Sequence, residues 1–135
     1  LPVVMMASHV YSDFSKTREL SSCLAKVLDD DDVPTALVGV GLLTTNYHAK
    51  MLDFSLDEVS DTKADGLCRQ LLGVFEQSGL KGGLELVDTI IEQTRTDMGL
   101  KHLAFLAGMS GRQRQAANVM AYGNVYGAGA AVVSF

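Results

Sequence analysis

The sequence lacks the short motifs by which many enzymes are recognised. It contains no HxH or HExxH pair and no CxxC, so no metal site is evident from spacing alone. A GxSxG nucleophile elbow is also absent, which leaves a hydrolase of the α/β type unsupported. The run "GVGLL" has no third glycine followed by a helix, and "GAGAA" precedes a predicted strand, so neither predicts a dinucleotide site.

Positive charge is scarce in this chain. Its 135 residues include 11 Lys and Arg against 16 Asp and Glu, which gives a net charge of −5. Surfaces that bind nucleic acids or anionic membranes need a basic patch, so we expect neither partner. No apolar run reaches the roughly 18 residues of a membrane span, and no signal peptide is visible. Cys23 and Cys68 fit the pattern of small buried hydrophobes in a reducing compartment, and we expect a cytoplasmic protein.

The apolar patterning alternates between strand-like and helix-like segments. Continuous apolar runs of the kind that forms strands covered on both faces occur at 2–10 and 35–43. Between these runs, an apolar stripe from Leu20 to Leu28 predicts a helix over 14–29. Further helices are predicted over 57–77, 84–96 and 100–111, and strands over 118–123 and 129–135. The first of these helices should end at Gly79, where glycine accepts a positive φ.

This order of elements favours an α/β fold. A strand, a helix and a second strand in succession imply a right-handed crossover and a parallel pair. We therefore expect a single α/β domain over residues 1–135, or a fragment of one, with a mostly parallel central sheet flanked by helices. The chain starts at Leu1 without Met and enters an apolar run at once, as a fragment or a processed chain would.

Two histidines follow the ends of predicted strands. His9 lies near the end of the first strand and His48 lies past the end of the second. In open α/β sheets, ligands and catalytic groups gather beyond the carboxyl ends of the strands. If the strands are parallel, both histidines lie in the region where a site would form.

Several stretches resemble the C-terminal half of class III extradiol ring-cleaving dioxygenases, the protocatechuate 4,5-dioxygenase type. The opening "LPVVMMASHVYSDFSKTRELSSCLAKVL" is similar to a strand and helix of that family. The stretch "ALVGVGLLTTNYH" is similar to the strand that ends in the family's G-G-L-S-H motif. The segments "DMGLKHLAFLAGMSG" and "VMAYGNVYGAGAAVVSF" resemble its closing helix and its Y-G-x-x-x-G-x-G-A-A-V-V-x-F strand. Within the family, this last pair is most similar to aminophenol dioxygenase subunits, especially the α type.

The resemblance implies a non-haem Fe(II) enzyme whose iron is held by two histidines and one carboxylate. In the family both histidine ligands come from the N-terminal half, which has no counterpart in this chain. The carboxylate comes from the segment before the closing helix, where Asp97 is the nearest candidate although the family uses Glu. The position of the family's acid/base histidine is matched by Thr45, and His48 lies three residues further on. A threonine cannot replace imidazole as a proton shuttle near neutral pH.

Three hypotheses about function follow from this comparison. The first is a non-catalytic or partial subunit of an aminophenol- or catechol-type ring-cleavage dioxygenase, which supports an Fe(II)-bearing partner and binds no iron alone. Its partner would be a missing N-terminal half or a homologous catalytic subunit, with an aromatic small molecule as the substrate of the assembly. The second is part of an active dioxygenase whose histidine ligands lie on another chain or segment. The third is a small-molecule-binding domain.

Overall fold

The computed structural model describes residues 3–7, 9–30, 33–51, 53, 58–110 and 116–135. Within these residues the chain mixes helices with strands, in agreement with the coarse α/β expectation. The elements, in chain order, are α1 (Phe14–Asp29), α2 (Thr62–Gln93), a 3₁₀ segment (Asp97–Leu100), α3 (Lys101–Ser110), β1 (Asn118–Val125) and β2 (Ala128–Ser134). The chain divides into two compact units, one formed by Leu1–Gly39 with Lys101–Gly111 and the other by Val40–Leu100 with Arg112–Phe135.

The expected parallel central sheet is not observed. The sheet of the described residues has two strands, β1 and β2, and they run antiparallel. The described parts of 2–10 and of 35–43 have no regular secondary structure. Val3, Val4 and Met5 are 82%, 87% and 91% exposed. A strand needs a neighbour for its backbone N–H and C=O groups, and neither apolar run has such a ladder within the described residues.

In the first unit, α1 begins and ends where the sequence predicts. The Asp13 side chain accepts a hydrogen bond from the Lys16 amide at 2.7 Å, which caps the first turn. The helix packs against α3 through small residues, and Ser21 is fully buried there. A Cβ at Gly108 of α3 would overlap the Ser21 hydroxyl and the Arg18 carbonyl, so only glycine permits this approach.

This packing buries only part of the apolar face predicted for α1. Leu20 and Val27 belong to the apolar stripe, yet they are 62% and 63% exposed. The buried residues of α1 are Thr17 and Ser21. Small side chains let the two helix backbones come close together, while Leu24 and Leu28 are half-buried and Leu20 and Val27 remain exposed.

Lys101, the first residue of α3, is buried although it carries a charge. Its Nζ donates hydrogen bonds to the carbonyl oxygens of His9 at 2.9 Å and Val10 at 3.1 Å. Buried ammonium groups need such acceptors because burial without them is costly. The lysine therefore holds the chain just before α1 against the start of α3.

In the second unit, α2 supplies most of the core. Asp61 caps its first turn by accepting from the amides of Lys63 and Ala64. Gly79 interrupts the helical geometry with φ of 64°, which confirms the positive φ expected at this glycine. The largest core side chains on either side of this break are Leu71, Phe75, Val87 and Ile90. No helix in the described ranges is long and apolar enough to cross a membrane.

The two predicted C-terminal strands form a hairpin. Tyr126 and Gly127 join them with φ values of 56° and 89°, as a tight turn with two left-handed residues requires. The Phe135 ring meets the buried Phe75 ring edge to face, with centroids 5.1 Å apart. The amide of Leu43 donates to the Gly129 carbonyl at 2.9 Å, which places the loop after 42 beside β2.

Candidate functional site

The loop 42–48 is the segment that the sequence singles out, and it is fixed from two sides. The Leu42 amide donates to Asp97 Oδ2 at 2.9 Å. The Thr45 amide donates to the Arg95 carbonyl at 2.7 Å, and the Thr45 hydroxyl faces the same oxygen at 3.4 Å. The loop therefore runs alongside the segment 95–97, so the structure brings Thr45 and Asp97 onto neighbouring stretches of chain.

Asp97 opens an unusual stretch of backbone. Met98, Gly99 and Leu100 have φ values of 49°, 63° and 55°, so three successive residues are left-handed. Two of them are not glycine, and such residues rarely adopt this conformation. The hydrogen bond from Leu42 to Asp97 holds the start of this turn, and the side chain of Leu100 is fully buried at its end.

His48 lies against the turn of the β hairpin. Its Nε2 is 3.0 Å from the Glu58 carbonyl oxygen, and because a carbonyl only accepts, this nitrogen carries the proton. The imidazole meets the Tyr126 ring edge to face, with ring centroids 6.0 Å apart. The backbone amide of His48 donates to the Tyr126 carbonyl at 3.1 Å. A Cβ at Gly127 would lie 2.8 Å from the imidazole, so the glycine makes room for it.

An open pocket of about 590 Å³ lies beside the loop. Its lining is polar and comprises Thr45, Asn46, Tyr47, Ser60, Asp61, Thr62 and Arg95. Of the three residues that the sequence nominated, Thr45 lines this pocket, whereas His48 and Asp97 do not. Arg95 and Asp61 are the charged members, and neither was predicted from the sequence to be a site residue.

A second polar cluster surrounds Cys68 on α2. The Tyr122 hydroxyl donates to Asp65 Oδ1 at 2.7 Å, and Arg69 Nε pairs with Asp65 Oδ2 at 2.8 Å. The Arg69 guanidinium also lies 4.8 Å from the centre of the Tyr122 ring. Nearby, the buried Thr44 hydroxyl accepts from the Gly129 amide at 2.8 Å. The spacing of Asp65 and Arg69 predicts their pairing on a helix, but nothing in the sequence points to Tyr122.

These contacts change the pKa values of three groups. Burial alone would raise the pKa of Asp65, but the hydrogen bonds from Arg69 and Tyr122 outweigh it and lower the pKa. Burial raises the pKa of the Cys68 thiol to about 11, so it is a thiol at neutral pH. Burial, followed by the hydrogen bond to Asp65, raises the pKa of Tyr122 far above its usual range. The cluster therefore behaves as a structural network, with an inert thiol.

The side chains of Asp97 and His48 do not form an iron site by themselves. In the part of the chain that the structure describes, no group of three or more His, Cys, Asp or Glu side chains is placed to hold a metal ion. Asp97 Oδ2 is engaged by a backbone amide and His48 Nε2 by a backbone carbonyl. A two-histidine, one-carboxylate centre needs two further imidazoles close to the carboxylate, so these residues do not fit Fe(II) unaided.

Comparison with known proteins relates the chain to a dioxygenase subunit. The chain is 29% identical over all of its 135 residues to the 2-aminophenol 1,6-dioxygenase alpha subunit of a Pseudomonas species. The match covers 50% of that protein, so the chain spans about half the length of the curated relative it matches. No protein-family model matches the chain. The similarity supports a relationship with a dioxygenase family.

Proposed function

We propose that this chain is a non-catalytic or partial subunit of an aromatic ring-cleavage dioxygenase and that it supports an Fe(II)-bearing partner. The similarity to a 2-aminophenol 1,6-dioxygenase alpha subunit supports the reaction class. The assignment to the class III extradiol group rests on the sequence motifs described above. On this proposal the iron and the aromatic substrate belong to the complete assembly, in the cytoplasm.

The residue at position 45 is the observation that carries the non-catalytic part of the proposal. The resemblance aligns Thr45 with a histidine that transfers protons, and general acid or base catalysis of this kind contributes roughly 10²- to 10⁴-fold to rate. The Thr45 hydroxyl is close to a backbone carbonyl, and a hydroxyl does not titrate near neutral pH. His48 could substitute only by giving up its contact with the Glu58 carbonyl. Asp97 as the carboxylate ligand stays a prediction, which requires histidines supplied from elsewhere.

The exposed apolar segments support a partner. In the first unit the chain leaves Val3, Val4 and Met5 almost fully exposed, and Val38 is 79% exposed. Stable monomers rarely expose apolar surface in continuous runs, and unpaired strand-like segments invite pairing. We propose that these runs become strands of a mostly parallel sheet when the missing half or a homologous catalytic subunit binds.

A second function, small-molecule binding without catalysis, is favoured by one observation. The pocket beside Thr45 is polar and open and has a volume in the range of ligand sites. This function and the supporting role are compatible, since a subunit can keep a pocket after it loses its catalytic groups. The remaining alternative, an active enzyme completed by another chain, differs from both in requiring iron ligated by Asp97.

The test is to compare the chain alone with the chain co-expressed with a catalytic dioxygenase subunit or with the missing half. We expect a stable complex, one iron per catalytic partner, and oxygen uptake with 2-aminophenol by the complex alone. Stoichiometric iron retained by the isolated chain after desalting would refute the proposal. Loss of iron from the complex on Asp97→Asn would instead establish the active-enzyme alternative, because an amide is a poor substitute for a carboxylate ligand.

A further inference from the structure

Some hydrogen-bond donors in the pocket beside Thr45 have no partner among the residues that the structure describes. Within the described residues, the Arg95 guanidinium has no ion pair, and the hydroxyl groups of Tyr47 and Thr62 have no hydrogen-bond partner. Arginine presents five N–H donors in a planar fork. All three side chains line the same pocket.

The pocket's own carboxylate does not neutralise this arginine. Asp61 Oδ1 accepts from the amides of Lys63 and Ala64 at 3.0 and 3.1 Å, and Oδ2 accepts from Asn46 Nδ2 at 2.7 Å. Both oxygens are thus committed to capping α2 and to fixing Asn46. The Ser60 hydroxyl is likewise engaged, with the carbonyls of Asn46 and Gly127.

From this arrangement we infer that the pocket binds a small organic monocarboxylate, with Arg95 as the residue that holds the carboxylate. The guanidinium fork matches the two carboxylate oxygens, and charge-assisted pairs of this type are among the stronger hydrogen bonds. Tyr47 contributes a half-exposed ring against which an apolar body can pack.

Arg95 is well placed for a clean test because its fold-stabilising contact belongs to its backbone. The Arg95 carbonyl accepts from the Thr45 amide, and a change of side chain leaves that hydrogen bond in place. The side chain is exposed, so Arg95→Gln removes the positive charge without opening a cavity. Lys81→Gln is the matched control, since Lys81 is an exposed residue of α2 outside the pocket lining.

The experiment is a titration of the ¹⁵N-labelled 135-residue chain with sodium benzoate, followed by NMR. We expect saturable shifts of the amides of 45–47 and 60–62, an affinity weaker by about 10-fold or more in Arg95→Gln, and unchanged affinity in Lys81→Gln. Benzamide, which has the same shape without the charge, should cause no saturable shift.

Three outcomes of the benzoate and benzamide titrations would overturn the inference. They are equal benzoate affinity in Arg95→Gln and the unchanged chain, equal binding of benzamide and benzoate, and the absence of a saturable benzoate shift. Inorganic phosphate that binds the same amides more tightly than benzoate would also overturn it, because the site would then be a phosphate site. The readout is binding and not oxygen uptake, so failure here leaves the proposed subunit role to its own test.

Discussion

Replacing Tyr122 by Phe removes the hydrogen bond between the Tyr122 hydroxyl and Asp65 in the cluster around Cys68. The substitution keeps the ring that packs under the Arg69 guanidinium and removes the hydroxyl that donates to Asp65 at 2.7 Å. Tyr126→Phe is the matched control. Its hydroxyl is exposed and donates to the uncharged Lys50 carbonyl at 2.9 Å.

The size of the effect follows from the charge of the acceptor. Hydrogen bonds to charged groups contribute about 1.5–3 kcal/mol, compared with about 1 kcal/mol or less for a neutral pair at the surface. Asp65 keeps its ion pair with Arg69 and is 15% exposed, which favours the lower end of that range. We expect Tyr122→Phe to lower the free energy of unfolding by about 1.5 kcal/mol at pH 7, and Tyr126→Phe by about 0.5 kcal/mol or less.

The pH dependence of the free energy of unfolding tests whether the charge of Asp65 is the cause of this difference. Folding lowers the pKa of Asp65 below its ordinary 3.8. The stabilisation is therefore fully present above pH 3.8 and is lost as the pH falls through the folded-state value. Because the Tyr122 hydroxyl contributes to that lowering, the difference between Tyr122→Phe and the unchanged chain should shrink as the solution is acidified below about pH 4.

Urea denaturation followed by far-ultraviolet circular dichroism, at several pH values from 7 to 3, measures these free energies. A Tyr122→Phe variant no less stable than Tyr126→Phe would refute the reasoning. A difference that stays constant down to pH 3 would also refute it, because the lost interaction would then not depend on the Asp65 charge.

The remaining predictions concern packing and thiol chemistry. With a pKa of about 11, about 0.1% of Cys68 is thiolate at pH 8, so a thiol reagent should label the exposed Cys23 at least about 100-fold faster than Cys68. Urea should abolish this difference, and equal labelling rates in the folded chain would contradict the burial of Cys68. Gly108→Ala should destabilise the chain by about 1–3 kcal/mol because the new Cβ overlaps with α1. Gly66→Ala is the control: its Cβ meets nothing within 4 Å, and it should stabilise the chain by about 0.5–1 kcal/mol. Thermal melts that rank the two variants in the opposite order would disprove this packing. Asp97→Ala should cost about 1–2 kcal/mol by leaving the Leu42 amide without its acceptor, and a neutral result in urea denaturation would show that this hydrogen bond is dispensable.

Local features of the fold could be predicted from the sequence because they depend on local chemistry. Apolar and polar spacing predicted α1, α3 and the two C-terminal strands close to their observed limits. The positive φ at Gly79 followed from the freedom of glycine. The apolar runs at 2–10 and 35–43 indicated that these residues favour burial, but whether a neighbour is present to bury them is not a property of the runs themselves.

The candidate site was only partly predictable for a related reason. Thr45 was nominated by its place in a motif, and it does line the pocket. Arg95 reaches the pocket because its carbonyl bonds Thr45, which lies 50 residues away in the sequence, and no spacing rule connects the two residues. Likewise, Tyr122 reaches Asp65 across 57 residues, by way of the hairpin. Polar clusters assembled from distant residues leave no periodic signal in the sequence.

Lys101 has a consequence for how the apolar segment 3–7 would meet a partner strand. The ammonium group bonds the carbonyls of two successive residues, His9 and Val10. A slide of the chain by one residue would break this pairing and would also reverse which side chains point to each side. The lysine thus fixes the position of residues 9 and 10, which follow the segment 3–7 in the chain. If a partner strand pairs with 3–7 as proposed, residues 9 and 10 already have a fixed position and lose little conformational freedom on association.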